Sequence, residues 1–102
     1  MGKDAEAVKM VQMRKLILSN LNRLYPMAVQ VRTLYRVMVA FDEHYDISLL
    51  AKDLAYLKAK GFLFYVDEAI GGADRFVDKC VSLTAEGKEI ADRTQTDPAL
   101  EI

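Results

Sequence analysis

The sequence contains few of the residues that small proteins use for cross-linking, metal binding or catalysis. Its 102 residues include one cysteine, Cys80, one histidine, His44, and no tryptophan. A lone cysteine excludes an internal disulfide, and a zinc site needs three or four ligands, so we predict neither feature. No Ser/His/Asp set, carboxylate pair or glycine-rich phosphate loop stands out. We therefore predict no catalytic residue, no metal, no cofactor and no enzyme activity.

Long apolar runs and a strong net charge are also missing. No segment approaches the roughly 18 consecutive apolar residues of a membrane helix, and residues 1–10 lack the apolar stretch of a secretory signal. We expect a cytoplasmic protein without a membrane partner. The formal net charge is −1 and the pI is near 5.8, so the chain as a whole does not attract nucleic acid electrostatically.

The distribution of charge is more informative than its sum. Bases outnumber acids in residues 1–25 and 47–61, whereas acids outnumber bases in residues 84–102. Positive charge is therefore concentrated on two segments that also have helical periodicity. This asymmetry is compatible with DNA binding without requiring it.

The most clearly marked element is an amphipathic helix between Asp46 and Gly61. Its leucines recur at helical spacing on one face, and small or polar residues occupy the opposite face. Asp46 or Ser48 can cap the start, and Gly61 stands where a left-handed C-terminal cap is needed. The leucines of this face are Leu50, Leu54 and Leu57.

Further elements are predicted on either side of this helix. In order, they are a helix over 5–25, an edge strand over 26–29, a helix over 30–39, strands over 62–68 and 76–83 joined by a turn at Gly71 and Gly72, and a helix capped by Thr84. The pattern predicts an α+β, mostly helical fold. The predicted core comprises Ile17, Leu21, Leu34, Leu50, Leu54, Leu57, Leu63, Val81 and Leu83.

Several side chains are expected at the margins of this core. Phe41 and Tyr45 are predicted to fill the corner between the second and third helices. Strand alternation places Phe64 and Val66, and on the returning strand Cys80 and Ser82, on the outer face of the sheet.

The first helix has a wider apolar arc than one neighbouring element would need. One interpretation is that the helix lies deep in a small core. The other is that its amino-terminal half packs on a second copy of the chain, which together with the outward Phe64 and Val66 predicts a homodimer. The predicted interface comprises Val8, Val11, Met13, Phe64 and Val66.

This order of elements, with the strings ISLLAKDLAYLKAKGFL and VSLTAEGKEIA, resembles the winged helix-turn-helix superfamily of MarR-, PadR- and ArsR-like regulators, familiar from bacteria and phages. The resemblance covers residues 12–93, with a helical extension over 1–11 and a flexible tail over 94–102. It implies a three-helix core, a short edge strand, a two-stranded β wing and a C-terminal helix.

The resemblance also implies a DNA-binding transcriptional regulator that places residues 47–60 in the major groove of double-stranded DNA. The DNA-binding residues would be Arg32, Arg36, Ser48, Lys52, Tyr56, Arg75 and Lys79. The alternative is an interaction or assembly module that docks its alanine-rich helix face, or Phe64 and Val66, on a protein partner.

Overall fold

The computed structural model describes residues 2–66, 75–97, 99–100 and 102. Over these residues the chain is α+β and mostly helical, as predicted, with four α-helices and a small antiparallel sheet. A single turn of 3-10 helix, Phe76–Asp78, precedes the last strand. The elements are α1 (Gly2–Leu24), β1 (Val29–Gln30), α2 (Val31–Phe41), α3 (Ile47–Ala59), β2 (Leu63–Tyr65), β3 (Cys80–Leu83) and α4 (Ala85–Thr96).

Both ends of α3 are fixed by residues that the sequence marks. The Asp46 carboxylate accepts a hydrogen bond of 2.9 Å from the backbone N–H of Leu49, so Asp46 rather than Ser48 caps the helix. Gly61 has a φ of 80°, the left-handed conformation expected of a glycine after a helix. The start and the end of α3 are therefore determined locally.

The predicted core is confirmed. All of its residues are buried in one cluster to which α1, α2, α3 and the sheet contribute. Met13, Leu18, Val29, Val31, Met38, Tyr45 and Ala91 complete the cluster. The core therefore joins the leucine face of α3 to the first helix, which contributes more residues than the sequence interpretation assigned to it.

The sheet has the order β1-β3-β2, with β3 in the centre. Leu63 pairs with Leu83 across β2 and β3, and Val29 pairs with Val81 across β1 and β3. The predicted edge strand is therefore present, although it lies at Val29–Gln30. The first residues of the predicted returning strand form the 3-10 turn instead, so β3 begins only at Cys80.

One predicted side-chain position is wrong, and another lies on the predicted face but is covered. Ser82 pairs with the exposed Phe64 across β3 and β2, so it lies on the outer face as predicted. It is nevertheless buried, and its hydroxyl donates a 3.2 Å hydrogen bond to the Pro26 carbonyl. Phe41 is 65% exposed, whereas Tyr45 is buried as predicted. The buried positions of α2 end at Met38, so the last turn of this helix extends beyond the core.

The start of α4 is hydrogen-bonded to Gly61, just after the end of α3. The Thr84 hydroxyl donates a 2.6 Å hydrogen bond to the Gly61 carbonyl and accepts one of 2.9 Å from the Gly87 N–H, so Thr84 caps α4 as predicted. A Cβ atom at Gly87 would lie 1.7 Å from the Phe62 carbonyl oxygen. Glycine is therefore required where α4 crosses the segment between α3 and β2.

One predicted feature, the turn at Gly71 and Gly72, lies outside the described residues. Two predicted domain boundaries fall inside helices. The predicted boundary between residues 11 and 12 falls within α1, which is continuous, and the one between residues 93 and 94 falls within α4. No helix in the described ranges is long and apolar enough to cross a membrane.

Truncation of Leu54 tests the core. We expect Leu54→Ala to lower the free energy of unfolding by about 2–5 kcal/mol, because it leaves a cavity in a packed interior. Chemical denaturation followed by circular dichroism measures the change. The matched control is Leu49→Ala in the same helix, because Leu49 is 42% exposed. Equal losses in the two variants would contradict the assignment of the Leu54 face to the core.

Candidate nucleic-acid interface

The candidate site is the outer face of α3, opposite its buried leucines. Ser48, Lys52, Ala55 and Ala59 are exposed on this face. By helical spacing these four positions lie one above another, with Lys52 as the cation of the central stripe. The face therefore combines small side chains with one long basic side chain.

Tyr56 does not project freely from this face. It is half-buried, and the Arg14 guanidinium of α1 lies 3.6 Å from the centroid of its ring. The Lys60 ammonium lies 5.5 Å from the same centroid. Tyr56, predicted to contact DNA, therefore lies at one flank of the outer face with two cations within cation–π distance of its ring.

Arg14 is held in turn by a buried carboxylate. The Arg14 Nε lies 3.7 Å from Asp53 Oδ1, an ion pair too long for a hydrogen bond, and the Tyr45 hydroxyl donates a 2.7 Å hydrogen bond to Asp53 Oδ2. Burial raises the pKa of Asp53, although the bond from Tyr45 and the charge of Arg14 act in the opposite direction. This group links α1, the turn before α3, and α3 itself.

Sequence reasoning missed the role of Asp53. In a segment with several lysines it resembles an ordinary solvated helix residue. The available signal was its position next to Leu54 and one turn before Leu57, near the border of the apolar face. An acidic residue at that border requires a donor or a cation from a neighbouring element.

A second cluster lies on the other flank of α3, near the sheet. The Lys58 and Lys79 ammonium groups lie 5.2 Å and 5.5 Å from the centroid of the Tyr65 ring. Lys79 was predicted to contact DNA, whereas Lys58 and Lys60 were missed as site residues. The signal for them was the excess of bases in residues 47–61, which was read as a property of the segment rather than of particular side chains.

The predicted arginines are placed differently. Arg32 Nη2 lies 2.7 Å from Asp78 Oδ1, and Arg75 Nε lies 3.9 Å from Asp78 Oδ2. These two arginines thus share one carboxylate in the 3-10 turn, which offsets part of their charge. Arg36 is exposed on α2. The structure therefore places the predicted DNA contacts in separate groups, and Asp78 reduces the positive charge of one group.

The residues predicted for the dimer interface differ in their exposure to solvent. Three of them are exposed: Val8, Phe64 and Val66. Val11 is half-buried, and Met13 is only 2% exposed. Met13 lies one turn before the buried Ile17 on the same side of α1, so its side chain packs in the core rather than on the surface of the chain.

His44 is exposed, and its Nε2 lies 3.6 Å from a carboxylate oxygen of the neighbouring Glu43. Over the described part of the chain, no three His, Cys, Asp or Glu side chains are grouped so that they could hold a metal ion.

Comparisons with protein-family models, with curated proteins and with solved structures give no match for this chain. The physical character of the surface around α3 is therefore the basis for a functional assignment.

Tyr45→Phe tests the buried polar group. Burial and the bond to Asp53 raise the pKa of Tyr45 above its usual value. In the unfolded chain a tyrosine ionises near pH 10, so above about pH 10 the unfolded state loses a proton that the folded state keeps, and stability falls as the pH rises. This contribution is fully present below about pH 10.

We expect Tyr45→Phe to lower the free energy of unfolding at neutral pH by about 1–2 kcal/mol, because Asp53 loses a buried donor. The variant should also lose stability less steeply than the parent above about pH 10. Urea unfolding measured at several pH values from neutral to alkaline gives both quantities. Identical alkaline slopes in the two proteins would contradict the assignment.

Proposed function

We propose that this chain is a winged helix protein that binds double-stranded DNA, with α3 in the major groove, and that it acts as a small transcriptional regulator. The order of the elements supports this proposal, as does the edge strand β1 beside β3. In this proposal β2 and β3 are the strands of the wing. The observation that carries the proposal is the exposed face of α3, where small residues lie between basic groups.

The dimensions and charge of α3 suit this role. The major groove of B-DNA accepts one α-helix, and alanines at positions 55 and 59 allow the backbone to approach the bases closely. Lys52 and Ser48 can donate hydrogen bonds to phosphates or to base edges. Affinity for DNA depends largely on the number of phosphates that the protein neutralises. The cations around α3 therefore matter more for DNA affinity than the net charge of the whole chain.

We further propose that the protein acts as a homodimer. A single copy presents few cations, and pairing two copies would double the phosphate contacts made at once. Exposed apolar side chains support an interface on α1, at Val8, or at Phe64 of β2 and Val66 just after it. Large exposed apolar patches mark protein interfaces, and these side chains are the candidates for one.

The second candidate function is a protein-interaction module without DNA binding. The observation that favours it is Phe64, which is 45% exposed on β2 and adjoins the exposed Val66. An aromatic and an aliphatic side chain at the edge of a sheet could anchor a protein partner. This function would use the sheet rather than the outer face of α3.

Lys52→Ala tests the DNA-binding proposal. We expect folding stability to change by less than about 0.5 kcal/mol, because Lys52 is exposed, and DNA binding to weaken. A lost phosphate contact would reduce the salt dependence of log K by about one and affect all sequences alike, whereas a lost base contact would reduce the preference between sites. Anisotropy titrations with labelled duplexes measure these changes.

The control is Lys88→Ala, because the Lys88 ammonium contacts Asn22 and Asp92 on the α1 and α4 side of the molecule. This variant removes the same charge and should leave affinity nearly unchanged. If the parent fails to bind DNA even at about 50 mM salt, where phosphate contacts are strongest, the DNA-binding proposal is wrong and the interaction module becomes the better assignment.

Val8→Lys and Phe64→Lys distinguish the two dimer surfaces. Each places a charge at an exposed apolar position, so the fold should be kept and only the contact between copies should weaken. Sedimentation analysis at tens of micromolar measures the mass of each variant. A parent protein found only at 11.5 kDa would exclude the homodimer, and dissociation of one variant alone would identify the surface.

A further inference from the structure

Two clusters, each made of one tyrosine and two cations, lie on the two sides of the carboxyl-terminal half of α3. One cluster comprises Tyr56 with Arg14 and Lys60, and we call it the α1 flank. The other comprises Tyr65 with Lys58 and Lys79, and we call it the sheet flank. The two clusters draw on α1, on α3 and its C-terminal cap, on β2, and on Lys79 just before β3, so tertiary packing rather than local sequence brings their members together.

The two flanks lie on opposite sides of one exposed stripe. Tyr56 and Lys58 are two residues apart, which separates them by about 200° around a helix axis. The exposed Ala55 and Ala59 lie between them on the outer side. The helix therefore presents a narrow stripe of methyl groups with a basic, aromatic border along each side.

This arrangement matches the cross-section of the DNA major groove. The groove is about 12 Å wide and is bounded by the phosphates of the two strands, while a helix with its side chains is about 10–12 Å across. A helix inserted with its alanine stripe towards the bases would direct one flank to each strand. Lys60 and Lys58 would then contact phosphates of opposite strands.

We infer that the two flanks of α3 hold opposite phosphate strands of a DNA duplex, so that this protein binds duplexes with little sequence discrimination. The inference rests on the DNA binding proposed above, and a regulator of this kind would act over many sites rather than at one operator. The cations of the flanks that are exposed to solvent are lysines, which contact phosphate as point charges, whereas base recognition commonly uses the bidentate contacts of arginine, asparagine or glutamine.

The residues towards the bases support the same conclusion. Ala55 and Ala59 have no hydrogen-bonding group on their side chains, and an alanine methyl group reads little besides a thymine methyl group. Ser48 and Lys52 are the exposed polar positions of the same stripe. Phosphate contacts position a protein on DNA without reading its sequence, so binding dominated by the flanks should be similar for unrelated duplexes.

The experiment compares Lys58→Gln and Lys60→Gln, one from each flank, with their double variant and with Lys88→Gln as the matched control. Labelled duplexes of several unrelated sequences, and one single strand of equal length, are titrated over a series of salt concentrations. Lys58 and Lys60 are both exposed, and unfolding curves for each variant check that the fold is kept.

We expect each single variant to bind every duplex several-fold more weakly and to reduce the salt slope by about one, and the double variant to reduce it by about two. Lys88→Gln should resemble the parent. The parent should bind unrelated duplexes with affinities within about tenfold of one another, well below the thousandfold or more that separates specific from non-specific sites.

Three results would overturn the inference while leaving DNA binding in place. They are an effect from one flank only, equal affinity for the single strand and the duplex, or a strong preference for one duplex. Absence of any binding by the parent to any of these nucleic acids would instead refute the proposed function, and the inference with it.

Discussion

The buried carboxylate of Asp53 is the interaction on which the orientation of α3 depends. The leucine face of α3 provides most of its packing energy, but apolar burial is not directional and would tolerate small rotations of the helix. The hydrogen bond from Tyr45 is directional, and both this bond and the ion pair with Arg14 reach Asp53 from outside α3. Because an unpaired buried charge is costly, α3 is favoured in the orientation that keeps these partners.

That orientation decides the composition of the outer surface. With Asp53 directed inward, Lys52 and Ala55 lie outward, and Tyr56 lies at the border next to Arg14. Arg14 therefore contacts both the buried carboxylate and the ring at the surface. Through this residue, the packing of α1 determines where an aromatic side chain borders the candidate DNA-binding face.

The other end of α3 is positioned by backbone geometry. Gly61 turns the chain into β2, Thr84 bonds to its carbonyl, and Gly87 lets α4 cross close to Phe62. These contacts hold the end of α3 beside the sheet, where Tyr65 lies between Lys58 and Lys79. The sheet flank therefore depends on a turn, a cap and a close helix crossing, although none of these contributes charge itself.

Periodicity and local chemistry in the sequence determined the elements and most of the core. The leucines of α3, the caps at Asp46 and Thr84, and the turn at Gly61 depend on residues a few positions apart, so their structure is encoded locally. Only the tertiary structure decided that Met13 and Ser82 are buried, that Phe41 is exposed and that Arg32 pairs with Asp78. The physical reason is that burial and ion pairing at these positions depend on which distant segment covers them, and periodicity along one element does not specify its neighbour.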